Sequence, residues 1–184
     1  MSQQSWVESL ISAQVDGAAV TAASATTLLP PAALYTLPAN YLNVGKRLKI
    51  SASGRISSVI TTPGTARFQV RFGSTSVFDG GAILLDSVAA HTTVGWWLEI
   101  EMTCRAIGTS ATMFGVGKWT SEDILGVPAT APKGVLTAML PWNTTPAVGT
   151  TFDSTVTNVV DLFFTQTVAT GSCTLHTYEL LSLN

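Results

Sequence analysis

Charge is scarce in this chain. Asp, Glu, Lys and Arg make up 11% of its 184 residues, less than half of the roughly 25% usual in globular domains. Nine basic residues face eleven acidic ones, for a net charge of −2. That balance lacks the basic excess needed to neutralise nucleic-acid phosphates, so no nucleic-acid partner is expected. Histidine occurs only at His91 and His176, and cysteine only at Cys104 and Cys173. None of the four stands at a close metal-ligand spacing, so neither a metal nor a cofactor is expected. One disulfide is open on arithmetic, but an intracellular origin favours two buried thiols. No apolar run approaches the roughly 18 residues of a membrane helix. The opening residues Met1 to Glu8 carry neither the basic nor the apolar region of a secretory signal. The expectation is no membrane partner and no secretory route, which makes the sequon Asn143-Thr144-Thr145 a chance match.

Catalytic signatures are equally thin. Gly115-Val116-Gly117-Lys118-Trp119-Thr120 resembles a phosphate loop only superficially. Thr112 stands where the leading glycine belongs, and Trp119 stands where Ser or Thr must reach Mg²⁺. There is no Gly-x-Ser-x-Gly elbow. Glu99 and Glu101 form the one carboxylate pair of glycosidase type. Two acidic residues two apart on a strand read more simply as a solvated face, paired across the sheet with Arg67 and Arg71 if those strands are neighbours. The chain is not expected to be an enzyme.

What is plentiful is apolar sequence, 46% of residues, in patterns of period two. In Trp96 to Ala106, the residues Trp96, Leu98, Ile100, Met102, Cys104 and Ala106 share one parity. Trp97, Glu99, Glu101, Thr103 and Arg105 share the other. A strand with one core face and one wet face produces this alternation, and a helix scatters it. Ala66 to Phe72 alternates likewise. Leu48 to Ile60 reads as a strand with Gly54 a candidate bulge, joined to Ala66–Phe72 through the turn Thr62-Pro63-Gly64-Thr65 as a hairpin. Further strands are expected at Val77 to Leu85 (two pieces around Asp79-Gly80-Gly81), Thr112 to Thr120, Gly134 to Leu140, Val156 to Val168 and Ser172 to Leu183. The last two form a second expected hairpin. Ser5 to Ala13 fits either period and is assigned to strand. Eight or more short strands without a long helix indicate a sandwich or barrel.

Residues 1–45 differ from the rest. Leu28 to Leu42 is apolar and uncharged, and Pro30, Pro31 and Pro38 forbid a central strand or regular helix. Two readings stay open. One is an N-terminal strand plus a loop packed over the sandwich. The other is an extended arm that docks on a neighbouring subunit, so that a chain lacking residues 1–40 still folds. The division is thus an N-terminal strand and arm segment, 1–45, and a sandwich domain, 46–184. Of Trp96 and Trp97, one faces outward. An outward indole fits a subunit contact, carbohydrate stacking or a second layer packed over it.

The string Gly45-Lys46-Arg47-Leu48-Lys49-Ile50-Ser51-Ala52-Ser53-Gly54-Arg55-Ile56-Ser57 resembles a pattern G-K-x-L-x-I-x-A-x-G-x-I-S of tailed-bacteriophage particle proteins. Ala66 to Phe72, Trp96-Trp97-Leu98-Glu99, Cys104-Arg105-Ala106, Asp161 to Thr167 and Leu175 to Tyr178 are similar too, so the likeness spans residues 40–184. It implies an all-β, jelly-roll-like antiparallel β-sandwich with an irregular N-terminal arm. It also implies a role as a capsid cement or decoration protein, assembled in the host cytoplasm and carried on the capsid surface of the virion. Its partners are then the major capsid protein and further copies of itself. The alternative is a tail or head-fibre domain that binds a host surface glycan. No catalytic residue transfers. The candidate interface residues are Trp6, Leu29, Pro30, Pro31, Tyr35, Tyr41, Trp97 and Trp142.

Overall fold

The computed structural model describes residues 6–124 and 137–183. It is an antiparallel β-sandwich. Six strands form sheet A, in the order β1 (Val7–Ser12), β12 (Ser172–Leu183), β4 (Arg47–Ser58), β8 (His91–Ala106), β9 (Thr112–Ser121), β10 (Thr137–Leu140). Sheet B runs β2 (Thr26–Thr27), β11 (Asn158–Gln166), β5 (Thr65–Phe72), β6 (Thr75–Asp79). Here β3 (Tyr35–Leu37) also pairs with β11, and β7 (Ile83–Leu84) with β5. The only helical turn among the described residues is a 3₁₀ turn at Pro31–Ala33. Residues 134–136 of the expected strand before Leu140 lie outside the described residues.

Alternation sets which side chains meet between the sheets. Leu48, Ile50, Ala52 and Ile56 of β4 and Trp96, Leu98, Ile100, Met102 and Cys104 of β8 are buried. So are Ala66, Phe68, Val70 and Phe72 of β5 and Val160, Leu162 and Phe164 of β11. Phe68 joins the layers: its ring centroid lies 5.3 Å from Trp96, 5.1 Å from Trp119 and 5.2 Å from Phe164. These tilted and edge-on contacts are the geometries that aromatic quadrupoles favour.

Both expected hairpins are corrected. The turn at Gly64 is present, with φ of +69°, but β4 enters sheet A and β5 enters sheet B. β11 and β12 likewise lie in different sheets. Both tight connections therefore arch between layers of the sandwich. Gly54 is not the bulge. The extra residue is His176 on β12, where the register with β4 shifts between Leu175 and Thr177. Glycine is required at 54 for another reason: a Cβ there would collide with the Thr174 carbonyl oxygen and with Trp96 Cζ2.

The described part of residues 1–45 belongs to both layers. β1 extends sheet A, Val20 bridges to Cys173, and β2 and β3 extend sheet B. Leu28, Leu29, Pro30, Ala33, Leu37 and Leu42 are buried. The Pro-broken stretch thus packs over its own sandwich, as the first of the two readings expects.

Three stability outcomes follow. Deleting residues 1–40 abolishes cooperative unfolding, because it uncovers the core under Leu28, Leu29, Ala33 and Leu37. Phe68→Ala costs about 3–5 kcal/mol in urea unfolding. Gly54→Ala costs about 1–3 kcal/mol or more through overpacking, whereas Gly95→Ala, with open space around its added Cβ, stays within about 0.5 kcal/mol of the parent.

Candidate interaction surface

The residues of β8 that do not enter the core form the middle of an outer face on sheet A. Strand register sets them in rows across the sheet. One row is Leu181, Lys49, Glu101, Val116, and the next is Glu179, Ser51, Glu99, Lys118, Met139. A third is Thr177, Ser53, Trp97, Thr120, Thr137. Glu99 Oε1 accepts from Lys49 Nζ at 3.3 Å, and its Oε2 lies 2.7 Å from Lys118 Nζ. Arg47 pairs with Glu101. The Lys118 hydrogen bond outweighs partial burial and, with Lys49, holds the Glu99 carboxyl below its usual range. Glu99 is therefore an ion-pair centre, not a proton donor near neutral pH. Arg67 instead pairs with Asp79 in sheet B, and Arg71 stacks its guanidinium 4.1 Å from the Phe163 ring centroid. The expected pairing of Glu99 and Glu101 with Arg67 and Arg71 is corrected accordingly, because β5 and β8 lie in different sheets.

The eight interface candidates separate into groups. Leu29 is 4% exposed and Pro30 is buried, both inside the chain's own packing. Pro31 is exposed at the 3₁₀ turn. Tyr35 and Tyr41 are half-buried, and the Lys46 ammonium sits 4.3 Å from the Tyr41 ring centroid. Burial raises the Tyr35 phenol pKa, and the nearby Tyr41 and Glu8 raise it further. At the β1 edge of sheet A, Trp6 is 68% and Val7 65% exposed. Trp142 is half-buried against the core at the opposite side, its backbone N–H donating to Gly80 O at 2.8 Å. Met139 on edge strand β10 is 67% exposed. Trp97 stands apart from both edges, 48% exposed.

One polar cluster was not legible beforehand. Asp123, just past β9, is fully buried. Its Oδ1 accepts from Ser58 Oγ at 2.7 Å and from the Asp86 backbone N–H at 3.3 Å, while Oδ2 has no partner among the described residues. Burial raises its pKa more than these bonds and His91 lower it. Asp86, although also raised by burial, is held net low by His91 Nε2 at 2.9 Å and by the backbone N–H groups of Val88 and Ala89. His176 Nδ1 lies 3.0 Å from Asp16 Oδ2. Among the described residues no group of three His, Cys, Asp or Glu side chains is placed to hold a metal. Cys104 and Cys173 are free and buried, and burial raises both thiols. No helix among the described residues is long and apolar enough to cross a membrane.

Asp123 dictates a pH dependence. Its folded pKa lies above its unfolded one, so its favourable contribution is full below the ordinary carboxylate range and fades as pH rises through the folded value. Asp123→Asn keeps an acceptor for Ser58 and carries no ionisable group. In thermal melts it raises Tm at pH 7–8, and the gain shrinks towards zero at pH 3. A uniform shift at every pH contradicts this account.

Comparison with protein-family models finds no match for this chain, and comparison with curated proteins finds none either.

Proposed function

We propose that this chain is a structural protein of tailed-phage particles, a cement or decoration protein that bridges major capsid subunits on the capsid surface. The observation that carries the reading is the pair of apolar edges on sheet A. Trp6 and Val7 stand at the β1 end, and Met139 stands at the β10 end. A bridging protein needs two contact sites held apart from each other, and the two ends of one six-stranded sheet supply them. Exposed apolar edge strands are a liability in an isolated monomer, and a contact that buries them removes it. The strand-pattern likeness to phage particle proteins points the same way.

The physics of such a role matches this composition. Low charge limits the desolvation cost of each contact and the repulsion between crowded copies. The abundant Ser and Thr side chains hydrogen-bond with little rotamer entropy to lose.

The experiment adds purified protein to phage heads assembled without it. Binding should saturate and should raise the melting temperature of the heads. Val7→Glu and Met139→Glu, at opposite ends of sheet A, should each weaken binding about tenfold or more without lowering the Tm of the free chain. Heads that melt at the same temperature with and without the protein refute the role.

A further inference from the structure

Trp97 does not belong to either apolar edge. It stands on β8, hydrogen-bonded on one side to β4 and on the other to β9, so the indole is carried by a rigid strand and not by a loop. Its row is unusual: Thr177, Ser53, Trp97, Thr120, Thr137, one residue from each of five adjacent strands. Four hydroxyls flank one aromatic ring in a line of four strand spacings, about 19 Å. The hydroxyls are bonded in pairs, Ser53 with Thr177 at 2.6 Å and Thr120 with Thr137 at 2.9 Å. Each pair spends one hydroxyl hydrogen on the other, so each keeps one free O–H donor and unused lone pairs.

The indole also separates two shallow hollows. One, of about 400 Å³, lies among Ser51, Ser53, Thr177 and Glu179. The other, of about 360 Å³, lies among Gly95, Thr120, Ser121 and Glu122. The space above Gly95 is open: a Cβ there would meet nothing. The first hollow thus has Ser and Thr hydroxyls and a carboxylate, and the second has the Thr120 hydroxyl and a carboxylate, since the buried Ser121 hydroxyl donates to the Gly95 carbonyl at 3.0 Å; Trp97 is shared between them.

We infer that this row is a binding site for a neutral oligosaccharide laid across the strands of sheet A, an activity separate from the capsid contact proposed above. The C–H face of a pyranose ring stacks on an indole, and its hydroxyls need partners that both donate and accept. The Ser and Thr residues supply those partners, neighbours within each pair standing one strand spacing, about 4.8 Å, apart, close to the length of one sugar ring. Glu179 and Glu122 each accept from sugar hydroxyls, and neither has an ion-pair partner among the described residues. The cations nearest the row are Arg55, across from Gly95 in one neighbouring row, and Lys118 in the other, whose ammonium is engaged by Glu99 at 2.7 Å. Two carboxylates without an ion-pair partner among the described residues thus stand against one guanidinium, which disfavours sialylated, sulfated and phosphorylated sugars. A purely apolar docking face would not be lined in this way by hydroxyls.

The full chain is titrated with linear tetrasaccharides of glucose, N-acetylglucosamine, galactose and mannose. Sialyllactose and a sulfated tetrasaccharide serve as anionic probes. Binding is followed by tryptophan fluorescence and ligand-observed NMR. Saturable binding of at least one neutral tetrasaccharide is expected at about millimolar concentration or below. Trp97→Ala should weaken it at least roughly tenfold, with an unchanged Tm, and Trp97→Phe should recover part of it. Binding to phage heads should be the same for Trp97→Ala and the parent chain. Three results overturn the inference: no neutral probe binds, only the anionic probes bind, or Trp97→Ala binds sugar as the parent does. Loss of head binding in Trp97→Ala overturns it as well, because Trp97 then belongs to the capsid contact.

Discussion

Phe68 is where the two layers of this protein become one. It reaches from sheet B to Trp96 and Trp119 of sheet A and touches Phe164 beside it. Once Trp96 is drawn inward by that contact, period two sends Trp97, Glu99 and Glu101 outward. A slip of one residue in β8 would bury two carboxylates and expose Leu98, Ile100 and Met102, which makes the register costly to change. The aromatic contact in the core thus determines which chemistry sheet A presents to its surroundings.

That outer face handles its few charges by pairing them. Lys49 and Lys118 converge on Glu99, and Arg47 holds Glu101. The centre of the face is therefore electrically quiet, and its distinguishing features lie in what surrounds it. Apolar side chains mark the two ends of the sheet, and a hydroxyl-flanked indole stands between them. The opposite arrangement occurs at Asp123, a carboxylate sealed inside with one oxygen that has no partner among the described residues. Such a site costs stability, and it sits where β9 ends beside Ser58 and Asp86.

The strands themselves were legible because each buried face writes its own alternation into the sequence. Trp96 to Ala106 and Ala66 to Phe72 show this directly, and every second residue from Trp96 to Cys104 is buried. Strand partners were not legible. Periodicity records which face is dry and says nothing about which neighbour accepts the backbone hydrogen bonds. Thr62-Pro63-Gly64-Thr65 carries the chemistry of a hairpin turn, yet it joins strands of different sheets, because an arch and a hairpin use the same turn residues. The burial of Leu29 and Pro30 was hidden for a related reason: prolines exclude regular structure but leave open whose core the apolar residues cover. Asp123 had no signal at all, since a lone Asp beyond a strand reads as loop. Trp97 was legible from parity alone, and what surrounds it became visible only once five strands were aligned.

A rigid sandwich with paired charges and two apolar edges is suited to repeated contact with a lattice. In the role we propose, the chain acts by covering and bridging, in many copies, as part of a particle. The most direct measurement is its copy number in purified virions by quantitative mass spectrometry against the major capsid protein. The account predicts hundreds of copies per particle, in fixed ratio to capsid subunits; absence from virions, or a dozen copies or fewer, would contradict it.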